Sequence, residues 1–145
     1  MALKPHFNDA ALRLADELAA REPPKLVDAK VEALVNDLIG TVSDKWTMLI
    51  IEALHQKNTL RFTQLGREVR GISQKMLTQT LRQMERNGLV QRKVYATVPP
   101  KVEYKLTKMG LSLGAAFCGV WKWAEANMEE IERSRRDFDQ QNAKW

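Results

Sequence analysis

The sequence predicts a mostly α-helical fold with one small β-hairpin. Apolar residues recur at helical spacing through most of the 145 residues. Only two runs, Leu89–Tyr95 and Val102–Leu106, carry the branched, aromatic and alternating pattern of strands. Turn and cap residues fall between these segments, at Pro23-Pro24, Ser43-Asp44, Asn58-Thr59, Gly71-Ile72-Ser73, Gly88 and Thr107. The length suits a single domain able to bury a core without disulfides or metal.

Residues 8–21 read as a first helix, capped by Asn8, apolar along Leu12, Leu14 and Leu18, and stopped by Pro23-Pro24. A second helix runs from Leu26 or Val27 to Val42, with Val31, Leu34, Val35 and Leu38 on one side. Asp44 caps a third over Lys45–Gln56, whose apolar load on Trp46, Leu49, Ile50, Ala53 and Leu54 marks it as central to the core. Leu60-Arg61-Phe62 fits a short strand, followed by a short helix over 63–70 capped by Thr63. After the turn at Gly71-Ile72, Ser73 caps a helix over 74–87 with Leu77, Leu81 and Met84 facing inward, and Gly88 supplies the left-handed residue that ends it. The two strand runs flank Thr97-Val98-Pro99-Pro100-Lys101, too long for a two-residue turn, so the hairpin over 89–106 should project. Thr107 caps a last helix from Lys108 to about Gln140, in which Gly110, Gly114 and Gly119 would permit close helix approach. This divides the chain into an N-terminal extension (1–25), a core (26–107) and a C-terminal helical segment (108–145).

Charge is distributed unevenly. Residues 57–108 hold 12 Lys and Arg against three acids, a charge of +9, whereas the remainder totals −4. A basic middle in an acidic frame points to a polyanionic partner. A single cysteine, Cys118, excludes an internal disulfide framework and a multi-cysteine zinc site, and His6 and His55 stand far apart, so no metal and no cofactor are expected. No apolar run approaches the length of a membrane span, and the N-terminus lacks the long apolar stretch of a signal peptide, so a cytoplasmic protein with no membrane partner is expected. A Gly-rich phosphate loop, a nucleophile–His–acid grouping and paired carboxylates in an apolar setting are all missing, which argues against an enzyme.

The order short helix, tight turn, longer helix, basic hairpin is that of a winged helix-turn-helix. The helix over 74–87 pairs its inward stripe with an outward face of Gln74, Lys75, Thr78, Gln79 and Arg82. Gln and Arg match adenine and guanine edges, and Thr can meet a thymine methyl. Ser73 at the helix start can meet a phosphate. The hairpin offers Arg92, Lys93, Tyr95 and Lys101 for phosphates or the minor groove. Each feature has a plainer reading, an amphipathic surface helix and an edge hairpin kept soluble by its charges. Double-stranded DNA is the partner that accounts for both together.

Lys45–Ile51, Leu60–Leu65, Gly71–Leu81, Gly88-Leu89-Val90 and Tyr95 with Val98–Thr107 and Gly110 resemble the HxlR-type regulators, bacterial winged helix-turn-helix transcription factors related to MarR proteins. The resemblance covers about residues 35–125. It implies a homodimeric regulator of transcription, in the usual case a repressor on an inverted-repeat operator, with dimerisation helices flanking the winged domain. Many members carry a cysteine near the start of the helix before the Lys-Trp motif, where this chain has Ala33. Residues 1–25 lie outside the usual core, and could add to the dimer interface or form a surface helix.

Within the C-terminal helix, Leu111, Phe117, Val120, Trp121 and Trp123 are expected at the dimer interface. Trp121 and Trp123 stand about 200° apart on a helix, so one should pack inward and the other at the interface. A pocket beside them for an unknown small-molecule effector is the alternative. Cys118 reads as a buried small hydrophobe, and Glu129–Arg133 and Glu132–Arg136 as solvated pairs one turn apart. The alternative for the whole chain is a winged-helix protein-interaction module without direct DNA readout. Such a module tolerates an acidic or neutral groove-facing helix, which this sequence does not have.

Overall fold

The computed structural model of the chain describes residues 9–22, 28–42 and 45–143. Six helices and three strands follow in the order α1 (Asp9–Ala19), α2 (Ala29–Val42), α3 (Lys45–Lys57), β1 (Thr59–Arg61), α4 (Phe62–Glu68), α5 (Gln74–Arg86), β2 (Val90–Tyr95), β3 (Lys101–Leu106) and α6 (Lys108–Asn142) among the described residues. The expected caps Asn8 and Asp44, the Pro23-Pro24 stop, and the proposed start of the second helix at Leu26 or Val27 lie outside those residues.

Local chemistry explains most element ends. Asp28 accepts the Lys30 amide at 2.8 Å, ahead of α2. Asn58 closes α3 at φ 68°, a left-handed conformation that asparagine tolerates, and its amide donates to the Leu54 carbonyl at 2.9 Å. Ser73 Oγ accepts the Met76 amide at 3.1 Å, and Gly88 adopts φ 72° behind α5. Thr107 joins two elements: its hydroxyl donates to the Gly88 carbonyl and accepts the Gly110 amide at the head of α6. The expected Thr63 cap is corrected. Arg61 is the N-cap of α4, and its amide donates to Gln64 Oε1 at 2.8 Å. The strand ends one residue sooner than the sequence suggests, so the helix begins before Thr63 can cap it.

The hairpin is also larger than expected. β1 joins it on the β3 side, giving an antiparallel sheet in the order β1-β3-β2. Leu60 lies opposite Tyr104 and Arg61 opposite Glu103, while Lys93 faces Glu103 from the other side. Leu60, Val90, Tyr104 and Leu106 turn inward onto Ile50, Ile51 and Leu54 of α3, Leu65 of α4, and Leu77, Leu81 and Met84 of α5. Leu49, expected in this core, is 39% exposed.

α6 is 35 residues long and changes character along its length. Its first turns enter the core: Phe117 is 7% exposed and belongs to the winged cluster. Gly110 is required there, because a Cβ would collide with the Leu89 carbonyl oxygen. Gly119 has open space around it, so it allows no close approach within the subunit. α1 packs along α6 through Ala15, Ala115 and Cys118, with Leu12 and Leu14 at the edge, and Lys122 pairs with Asp16 at 2.9 Å. The distal helix is exposed and carries the Glu132–Arg136 pair at 4.0 Å.

Candidate nucleic-acid interface

α5 is fixed from below and open above. Leu77, Thr80, Leu81 and Met84 are buried, and the Thr80 hydroxyl donates to the Met76 carbonyl at 2.8 Å, so no polar atom of that side chain enters the core unpaired. On the outer side Gln74, Lys75, Thr78, Gln79 and Arg82 line one shallow concavity of about 490 Å3. The five side chains grouped by helical spacing therefore share a surface. Thr78 donates its hydroxyl to the Gln74 carbonyl at 2.9 Å. Ser73 stands exposed at the helix start with its oxygen engaged as the cap.

Phe62 completes that concavity, and sequence reasoning missed it. Half-buried at the start of α4, it packs on the core and presents its remaining surface beside the polar face of α5. Nothing in the spacing along α5 identifies it, because it arrives from another element.

The wing residues divide between two faces. Strand alternation and register put Lys93, Tyr95 and Lys101 on the outer face and Arg92 on the inner one, opposite Tyr104. Arg92 reaches α5 instead, its Nε 3.4 Å from Glu85. Its expected place with the others around the tip is thus corrected: parity along β2 sends it to the side that meets α5. Burial pushes the Tyr104 phenol up, with Arg92 opposing that shift.

The outer face is a compact charged network. Lys93 and Lys101 each hold an ammonium 4.9 Å from the Tyr95 ring centroid. The Tyr95 hydroxyl donates to Glu103 Oε2 at 2.9 Å, and Lys101 Nζ lies 2.8 Å from Glu103 Oε1. Arg61 on β1 and Lys105 on β3 share this face by register. The Lys101 ammonium, then the Tyr95 hydroxyl and more weakly Arg61, hold the Glu103 carboxyl below the usual carboxylate range. Arg61 and Lys105 were not singled out from sequence, although the two-residue alternation of Lys101, Glu103 and Lys105 contains the signal.

The residues assigned to the dimer interface also separate. Phe117 is corrected: it fills the subunit's own core and is not available to a partner. Val120 and Trp123 are 62% and 60% exposed, Leu111 is exposed, and Trp121 is half-buried. Trp121 Nε1 is buried with no hydrogen-bond partner among the described residues. α2 exposes Val31, Leu34 and Val35 in the same manner. Cys118 is buried, and burial pushes its thiol up, with Lys122 opposing and Asp16 adding to the shift.

A model of the HxlR-like helix-turn-helix family matches residues 41–132. The chain belongs to this family. Its winged core, with α5 as the second helix of the helix-turn-helix, is that of a transcriptional regulator and not of an enzyme. The HTH-type transcriptional regulator YtfH of Escherichia coli strain K12 is 37% identical over 95 residues, covering 66% of this chain and 75% of YtfH. A solved MarR-family transcriptional regulator from Enterococcus faecalis V583 superposes with a TM-score of 0.63 at 33% identity, covering 77% of this chain and 99% of that one. The reduced form of the B. subtilis regulator YodB, also solved after diamide treatment, gives a TM-score of 0.57 at 33% identity, covering 69% and 93%. No helix among the described residues is long and apolar enough to cross a membrane.

Proposed function

We propose that this HxlR-family regulator is a cytoplasmic homodimer that represses transcription by placing α5 in successive major grooves of an inverted-repeat operator. The observation that carries this reading is the single exposed surface formed by Gln74, Lys75, Thr78, Gln79 and Arg82. Arg82 and the glutamines present donors and acceptors suited to base edges. The outer cations of the sheet suit phosphates and would fix the register of the protein on the duplex. The apolar faces of α2 and distal α6 favour a two-fold pairing of subunits, since exposed patches of this kind mark interfaces. Two-fold symmetry then sets half-site centres one helical turn, about 10–10.5 bp, or a multiple of it apart. A dimer seated over a promoter blocks polymerase, which is the reason for preferring repression.

The test is an anisotropy titration against duplexes tiled from DNA upstream of the gene encoding this chain. Arg82→Ala should weaken binding to the best duplex by about 1–3 kcal/mol and leave random duplex little changed. Lys101→Ala should weaken both alike. Affinity that does not fall with salt would refute phosphate-based docking, because each neutralised phosphate contributes about −0.9 to the slope of log K against log salt.

A further inference from the structure

The outer face of the sheet places one carboxylate at the centre of its cations. Glu103 has Arg61 beside it on β1 and Lys93 beside it on β2, and Lys101 and Lys105 two residues away on its own strand. Both of its oxygens are engaged. Oε1 takes Lys101 at 2.8 Å, and Oε2 accepts the Tyr95 hydroxyl at 2.9 Å. The tyrosine bond matters most. It ties the carboxylate to the neighbouring strand, so the charge stays in place when Lys101 turns toward another anion.

We infer that Glu103 is a counterweight that sets the DNA affinity of the wing, by holding Lys101 in the free protein and opposing its transfer to a phosphate. This inference rests on the DNA-binding reading given above. A lysine leaving a carboxylate for a phosphate exchanges one ion pair for another, so it contributes less to binding than an unpaired lysine would. The pair is half-buried but opens to solvent on the outer face, and ion pairs near a surface are individually weak, so the effect on affinity is a few-fold. It falls on phosphate contact alone and therefore acts on every DNA sequence equally. Tyr95 is then a positioning residue for Glu103, and its ring keeps Lys93 and Lys101 close by.

The experiment needs no known operator. Binding of the full chain to a fluorescein-labelled duplex of random sequence is measured between about 50 and 200 mM salt. Glu103→Gln keeps the size of the side chain and removes its charge. It should tighten binding about three- to tenfold at low salt and steepen the salt slope by about one phosphate contact. Combined with Lys101→Ala, most of that gain should disappear, because the charge acts through this lysine. Thermal unfolding of each variant checks that the sheet is intact. If the parent protein binds no duplex under any of these conditions, the DNA-binding reading fails and this inference falls with it. If the parent binds and Glu103→Gln binds equally or more weakly, this inference alone is overturned. It is likewise overturned if the gain survives in full without Lys101, since that would be a diffuse charge effect.

Discussion

The winged core and the helices that frame it use apolar residues in opposite ways. In the core, Ile50, Leu65, Leu77 and Met84 are at most 1% exposed, and each is enclosed by side chains from several elements. In the frame, Val31, Leu34 and Val35 of α2 stand 51%, 55% and 45% exposed, and Val120, Trp123, Met128 and Phe138 of α6 are open as well. Both regions are rich in apolar residues, but the outcome differs. α3, α5 and the sheet pack on one another around a shared cluster, whereas a single helix can bury only the stripe that meets a neighbour. The core is therefore complete within one subunit. The frame has apolar surface beyond what the subunit uses, and the proposed dimer gives that surface a place.

The contrast can be broken most severely in the core. Ile50→Ala removes a fully buried side chain and should cost about 2–5 kcal/mol, read as a lower denaturant midpoint. A loss under about 1 kcal/mol would show that this cluster is less tightly packed than its burial implies. The framing helix should respond differently. Trp123→Glu with Val120→Glu ought to leave the helical circular dichroism of the subunit unchanged, with each surface change worth about 0.5 kcal/mol or less to its fold. Sedimentation should then shift from dimer to monomer at micromolar concentration. A parent protein already monomeric there would remove the reason offered for those exposed residues.

The smallest effect is expected inside the frame, at Cys118, where α1 packs on α6. Burial between α1 and α6 raises its thiol, so the neutral form prevails at neutral pH and nucleophilic thiolate is scarce. The sign follows from the raised value: the fold favours the protonated thiol, and that preference turns into a loss of stability as pH climbs through the alkaline range. Cys118→Ser should keep its DNA affinity, and diamide should leave the parent complex intact. Release of the parent by diamide, with the serine variant still bound, would make Cys118 a switch.

Much of this architecture was legible from residues whose effects are local. Ser73, Thr107, Asn58 and Gly88 act on the backbone within a few positions, so their roles as caps and left-handed residues could be read directly. The outward face of α5 follows from helical spacing alone, and the structure gathers its five side chains on one surface. Arg92 could have been separated from Lys93 and Tyr95 by strand parity, but parity does not say which face turns inward. That choice was made by Val90 and Tyr104 meeting the helices, which sends Arg92 to Glu85.

Other features had no local signal at all. By itself the sequence determined the order of elements, the caps Ser73 and Thr107, the basic middle segment and the polar face of α5, because each depends on neighbours along the chain. Tertiary structure alone decided that β1 completes the sheet, that Phe62 joins the surface of α5, and that Phe117 turns into the core. It also decided that Glu103 sits among cations drawn from three strands. The physical reason is the same in each case. These outcomes depend on which segments distant in sequence come into register, and burial of the shared apolar face selects that register.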